Sequence, residues 1–217
     1  MPRIVDLGAS SERLRDVNLI IGEGLCSNIY VLGRRGALIV DTGVGNSLNP
    51  VWPQLHRLGV RGEDIAGVAL THAHHDHVGG VLRILERATP RVYIHRLDAT
   101  YIASSLGPLL RKVDDGDIID AGPWPLRVVW TPGHTRGSIC LYSEEMRLLL
   151  SGDTVFPGGH YGRYDGETGS REEIVNSLMR LTSLDVEVML PGHGTPVLEG
   201  AWRHIRQAYL NASTYTP

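Results

Sequence analysis

Apolar residues along this chain come in short runs separated by glycine-rich turns. Residues 17–21, 27–32 and 37–41 are of strand length and largely apolar, and the breaks between them, Gly22-Glu23-Gly24 and Gly33-Arg34-Arg35-Gly36, are turn sequences. This reads as a meander of antiparallel strands. A helix is predicted over 51–58, then a buried strand over 65–70, where the apolar character is almost continuous. The pattern goes on with a helix over 81–87, a strand over 91–95, and a short helix over 99–105 with Asp98 as its N-cap. Strands return at 126–130, 139–142 and 148–151. A helix fits 171–181, with Ser170 as N-cap and Glu173 at the capping-box position. A strand over 186–190 and a helix over 202–212 close the pattern. Strand clusters with interspersed helices predict two sheets packed face to face with helices outside, an α+β layered sandwich.

A chain of 217 residues is long enough to bury a substantial core, and a single domain over 1–217 is expected. The formal net charge is -3 and no basic run stands out, which argues against a nucleic-acid partner. The two cysteines, Cys26 and Cys140, do not make a disulfide framework. No apolar run reaches the length of a bilayer span, and the first eleven residues carry no apolar leader segment. The expectation is a cytoplasmic protein with no membrane contact and a small-molecule substrate. A homodimer is compatible with the pattern, although no helix is apolar enough all round to mark one.

Histidine placement changes the picture most. His72, His74, Asp76 and His77 fall within Thr71-His72-Ala73-His74-His75-Asp76-His77, directly after the predicted strand 65–70. Neutral imidazoles and a carboxylate bind borderline divalent metals such as zinc, manganese or iron. On a tight loop at a strand end, His72 and His74 can face one ion while Asp76 and His77 face another. Three further candidates each follow an apolar strand and a glycine: His134 in Thr131-Pro132-Gly133-His134, Asp153 in Ser151-Gly152-Asp153, and His193 in Pro191-Gly192-His193. Glycine before the ligand permits close backbone approach. If these strand ends meet at one edge, one ion takes His72, His74 and His134, and a second takes Asp76, His77 and His193. Asp153 can then bridge the pair, and Asp76 and Asp153 are assigned as the catalytic carboxylates. His75, His160, His95, His56 and His204 read as surface or structural residues.

Val40-Asp41-Thr42-Gly43, the cluster from His72 to His77, His134, Asp153 and His193 stand in an order that resembles the metallo-β-lactamase superfamily over nearly the whole chain. The resemblance implies an αβ/βα four-layer sandwich, with two mixed β-sheets, helices on the outer faces and the site at one edge. It also implies that Asp41 lies behind the ligands and orients the metal loop. Two divalent ions, Zn2+ first with Fe or Mn as alternatives, would lower the pKa of a shared water and polarise a carbonyl.

Within that superfamily the chain is most similar to the glyoxalase II-like branch, the hydroxyacylglutathione hydrolases. The matching text is Thr131 to Gly137, Ser151 to Phe156, Gly162-Arg163-Tyr164-Asp165-Gly166, the Ser177-Leu178 pair and Pro191 to Gly194. The implied activity is metal-dependent hydrolysis of a thioester or a related carbonyl substrate, with Arg163 and Tyr164 near the substrate mouth. Two departures leave the thiol carrier open. The text after His193 offers only the helix around 202–210 in place of a longer helical region, and the Gly-Cys-Gly usual before the arginine is absent. The alternative is an oxidoreductase resembling the persulfide dioxygenases, which share a Gly-Arg-x-Asp loop and would use one iron on His72, His134 and Asp153. A lactonase reading is weaker because Phe156 stands where such enzymes place a tyrosine, and a nuclease reading lacks a basic arm.

Overall fold

Most strand residues are buried on both faces, so each sheet needs an apolar layer above and below it. The computed structural model describes residues 3–214. Its elements run β1 (Ile4–Asp6), β2 (Val17–Ile20), β3 (Ile29–Leu32), β4 (Ala37–Val40), α1 (Val51–Arg57), β5 (Ile65–Ala69), α2 (His75–Val78), α3 (Val81–Leu85), β6 (Arg91–His95), α4 (Ala103–Leu106), β7 (Leu110–Val113), β8 (Ile118–Ile119), β9 (Leu126–Trp130), β10 (Ile139–Ser143), β11 (Leu148–Gly152), β12 (Val155–Phe156), β13 (His160–Tyr161), α5 (Arg171–Leu181), β14 (Val188–Pro191) and α6 (Ala201–Thr214).

One sheet holds β1 to β7 in chain order, antiparallel through β4 and parallel from β4 to β7. The other has the order β14-β11-β10-β9-β8, with β14 parallel to β11 and the rest antiparallel. Side chains alternate between layers with the strand period of two. Leu148 and Leu150 point into the layer between the sheets, where they meet Leu38 and Val40, while Leu149 packs outward. The outer face of the first sheet is covered by Trp52 and Leu55 of α1 and Val81 and Ile84 of α3. Ile174 and Leu178 of α5, with Ile205 and Ala208 of α6, cover the second. The result is the four-layer α+β sandwich with two mixed sheets and outer helices.

The expected antiparallel meander forms, and Ser170 caps α5 by accepting from the Glu173 N–H at 3.3 Å. Other elements differ from the pattern. The segment 99–105 is a short 3-10 turn followed by α4, and Asp98 does not cap it. β1, β7, β8 and the β12–β13 hairpin are not expected from the pattern; β8, β12 and β13 have only two residues each, too few to carry an alternation.

Strand directions place the site. β4 and β5 are parallel, so both end at the same edge. In the facing sheet β9 and β11 each run antiparallel to β10, and β14 runs parallel to β11, so these three also end together. Hydrogen bonds lock the two edges: Ile139 N–H donates to Thr71 O at 2.9 Å, and Asn28 N–H donates to Gly192 O at 2.7 Å.

Candidate metal centre

Five strand ends deliver the polar residues to one place. Asp41 follows β4, the His72–His77 loop follows β5, His134 follows β9, Asp153 follows β11 and His193 follows β14. Among the described residues, three groups bring ligand atoms within 4.8 Å of one another: His72, His74 and His134; His72, His77 and Asp153; and Asp76, His77 and His193. All seven candidate ligands are therefore brought together.

Separations between ligand atoms test the fit to a metal. His72 Nε2 and His74 Nδ1 are 3.1 Å apart. Asp153 turns Oδ1 toward His77 Nε2 at 3.3 Å and Oδ2 toward His134 Nε2 and His193 Nε2, each at 3.6 Å. Asp76 Oδ2 lies 3.5 Å from His77 Nε2 and 3.0 Å from His193 Nε2. Two ligands each about 2.0–2.1 Å from a tetrahedral zinc ion stand roughly 3.3 Å apart, so these spacings bracket the edge of a coordination tetrahedron. Buried polar atoms complete the test. His77 Nε2, His134 Nε2 and Asp153 Oδ1 have no hydrogen-bond partner. Leaving such atoms unpaired costs about 1–3 kcal/mol each, and a divalent cation among them removes that cost. The donor set fits the group.

Neighbouring atoms fix the ring tautomers. His134 Nδ1 donates to the Arg163 carbonyl at 2.7 Å, and His77 Nδ1 donates to Asp41 Oδ2 at 2.8 Å, so each ring, when neutral, presents a bare Nε2 to the centre. Thr71 Oγ1 donates to Asp41 Oδ2 at 2.9 Å, so its oxygen accepts from His72 Nδ1 at 3.1 Å. The Thr71 N–H also donates to Asp41 Oδ1 at 2.8 Å. Asp41 thus holds the backbone of the ligand loop and orients two of its rings. It does so from a left-handed backbone at φ 57, a conformation aspartate tolerates better than most residues.

Asp98 is the residue that the sequence pattern mistook for a helix cap. It is 1% exposed, and its carboxylate accepts from Ala73 N–H at 2.9 Å, Thr135 Oγ1 at 2.8 Å and Gly137 N–H at 2.8 Å. Ala73 lies between His72 and His74, and Thr135 follows His134, so one buried charge sets the spacing of the two loops that carry the first ligand group.

Glycines beside the ligands serve close approach. A Cβ on Gly192 would stand 2.3 Å from Asp153 Oδ1 and 2.8 Å from His77 Cε1. Gly133 adopts φ +133, and a Cβ there would lie 2.4 Å from Ile174 N, so only glycine lets the His134 loop lie on α5.

The electrostatics follow from this crowding. Burial, reinforced by the neighbouring imidazoles His77, His134 and His74, drives the His72 pKa well below its ordinary value. Burial acts the same way on His77, but the charges of Asp41 and Asp153 and the hydrogen bond to Asp41 outweigh it and raise that pKa well above the usual range. Burial opposes ionisation of Asp76, yet the hydrogen bond from His193 and the charge of His77 hold its pKa down at about 2. The same bond to Asp76 raises the His193 pKa against burial.

The remaining named residues lie around this core. The Arg163 side chain is 71% exposed and paired with Asp165 through Nε–Oδ1 at 2.7 Å and Nη2–Oδ2 at 3.1 Å. Tyr164 packs partly against the α5–α6 layer. His75 is exposed and outside the three ligand groups, and His160 is exposed on β13. Buried His95 stacks on Trp130, with centroids 5.5 Å apart and planes at 5°. His204 Nδ1 accepts from the Gly158 N–H. No helix among the described residues is long and apolar enough to cross a membrane.

Comparison with known proteins agrees with the geometry. The family model described as Metallo-beta-lactamase superfamily matches residues 22–193. A probable metallo-hydrolase of Bacillus subtilis, YqgX, is 32% identical over 144 residues, 58% of this chain and 67% of that one. A hydroxyacylglutathione hydrolase of Synechococcus is 34% identical over 149 residues, 68% of this chain and 54% of that one. An atrochrysone carboxyl ACP thioesterase of Aspergillus fumigatus is 30% identical over 190 residues, 83% of this chain and 54% of that one. The chain thus spans only about half the length of the last two relatives. Among solved structures, TTHA1623 in a di-iron-bound form superposes with a TM-score of 0.67 at 28% identity, over 82% of this chain and 92% of that one. ETHE1 from Myxococcus xanthus shares the fold, with a TM-score of 0.66 at 22% identity over 93% and 92% of the two chains.

Proposed function

The chain belongs to the metallo-β-lactamase superfamily, and from that premise we propose that it is a binuclear metal-dependent hydrolase of thioesters or related carbonyl substrates. The observation that carries the reading is the set of ligand separations between 3.0 and 3.6 Å, with Asp153 facing three histidines through its two oxygens. Two divalent cations held there would acidify a water and withdraw electrons from a carbonyl oxygen. His72, His74 and His134 would hold one, and Asp76, His77 and His193 the other, with Asp153 between them. The protein's own part is to hold bare imidazole nitrogens in place through Asp41, Thr71 and the Arg163 carbonyl, and to keep the carboxylates ionised. A thiolate leaving group needs no general acid.

The similar thioesterase and hydroxyacylglutathione hydrolase support thioesters as the substrate class. Zinc is the first choice of ion. Iron is the second reading, favoured by the di-iron form of TTHA1623. Its extreme version is a one-iron oxidoreductase built on His72, His134 and Asp153. Elemental mass spectrometry on protein purified without added metal, followed by a thioester screen, tests the proposal. Close to two ions per chain and thioester cleavage lost on chelation are expected. About one iron, with oxygen uptake and no hydrolysis, would overturn it.

A further inference from the structure

One wall of the metal centre opens into a second space, and its origin lies in unequal sheet widths. The sheet of seven strands faces a sheet of five. β3 stands over the edge strand β14, since Tyr30 Oη donates to the Pro191 carbonyl at 2.8 Å and Asn28 Nδ2 donates to it at 3.1 Å. β1 and β2 therefore extend past the edge of the facing sheet. Their inward side chains meet the strap that follows His193, including Pro196 and Leu198, and a cleft of about 540 Å³ remains between them. That volume is in the range of small-molecule sites.

Strand register orders the lining. Ile21 N–H donates to Arg3 O, Leu19 stands opposite Val5, and Leu7 N–H donates to Val17 O. From His193 the cleft thus passes Ile21, then the Val5–Leu19 pair, and ends at Leu7. Four residues of strand are about 13 Å long. His193 belongs both to this lining and to the ligand set, so whatever fills the cleft is joined to the reacting carbonyl.

We propose that this cleft is the acyl subsite, and that the substrate is a thioester of an unbranched apolar acid of medium chain length rather than of a small hydroxy acid. The inference rests on the hydrolase reading above. The acyl chain lies along β1 and β2, and its carbonyl sits beside His193. A short polar acyl group would leave the partly exposed Ile21 and Val5 facing water.

The test uses the metal-loaded protein and S-acyl thioesters of one thiol with acetyl, butyryl, hexanoyl and octanoyl groups. Burial of each methylene raises kcat/KM about fourfold, so a steep climb to octanoyl is expected. Ile21→Trp fills the cleft near its inner end. It should bring kcat/KM for the octanoyl ester down to that for the acetyl ester in the same variant, so that the chain-length dependence disappears. Val5→Gln serves as a second variant should Ile21→Trp fail to fold by circular dichroism. Binding of octanoate and butyrate by isothermal titration separates the two ideas. Octanoate about 250-fold tighter than butyrate, and weakened in the variants, supports the subsite even without turnover, in which case the thioester reading fails alone. Equal affinity for the two acids, or variants that leave the chain-length dependence unchanged, overturns the subsite whatever the rate of hydrolysis.

Discussion

Asp98→Ala should weaken one half of the metal centre and spare the other. The wild-type carboxylate is 1% exposed and accepts three hydrogen bonds of 2.8–2.9 Å, from Ala73, Thr135 and Gly137. Hydrogen bonds to a charged group contribute about 1.5–3 kcal/mol each. Their energies are not additive within one network, so the loss is about 3–6 kcal/mol. A domain stable by roughly 5–15 kcal/mol stays folded but with a lower denaturant midpoint. The local effect is specific. Without Asp98 the His72–His74 turn and the His134 loop lose their common anchor. The Asp76, His77 and His193 group keeps its own, through Asp41. Removing a partner behind a metal ligand typically costs 10–100-fold in affinity, so that loss should fall on one of the two proposed metal positions. Zinc titration against a competing chelator reads the two sites separately. Asp98→Asn keeps the volume but sets N–H donors against N–H donors, and should fall between wild type and alanine. Equal weakening of both sites, or unchanged zinc binding with a lowered midpoint, would refute the assignment and leave Asp98 a purely structural residue.

Other expectations follow from the same geometry. Gly192→Ala should abolish binding at the Asp76, His77 and His193 position, measured by metal content, because the new methyl overlaps Asp153 Oδ1; destabilisation of about 1–3 kcal/mol accompanies it. Stripping the ions should lower Tm. At a metal concentration a thousand times Kd the lost linkage is about 4 kcal/mol, or roughly 8–16 °C for a chain of this size. Asp115 tests pH dependence away from the centre. Burial raises its pKa, but the Arg180 side chain, with Nη–Oδ contacts of 2.8 and 2.9 Å, and the Trp130 N–H outweigh it and depress the value below 3.8. A depressed folded-state pKa stabilises above the unfolded value and is lost as pH falls through the folded one. Asp115→Asn should therefore cost about 1 kcal/mol at pH 7 and less near pH 3, read from urea midpoints; an equal cost at both pH values would refute the coupling.

Much of the layered fold was legible in the sequence because apolar runs of strand length are bounded by turn residues and because Gly22, Gly33 and Gly36 punctuate the meander. The cluster from His72 to His77 was legible for a different reason: histidine is rarely needed for packing, so four metal-capable residues on one loop ask for a chemical explanation. Asp98 was not legible. An aspartate before a short helical pattern has a local explanation, and its real partners lie 25 to 39 residues away in sequence. The hold on His134 was hidden as well, since it comes from the main-chain carbonyl of Arg163, which no side-chain pattern can report. Short strands such as β12 and β13 were lost because two residues carry no period.

Charge balance bears on the number of ions. Asp41, Asp98 and Asp153 are buried or nearly so, and Asp76 is 29% exposed on its side chain. Together they bring four negative charges into a region of low dielectric, where uncompensated charge is expensive. Neutral imidazole ligands add nothing to the balance, whereas two divalent cations offset it completely. A single ion leaves two charges, which must then be met by protons on His77 and His193, the two imidazoles whose pKa values the carboxylates already raise. Asp76 is turned toward both of those rings, and Asp153 toward both of them and His134 as well. The same side chains therefore make either a second metal position or a pair of ion-paired imidazolium groups, and the count of ions per chain is the quantity that separates a hydrolase with two from an oxidoreductase with one.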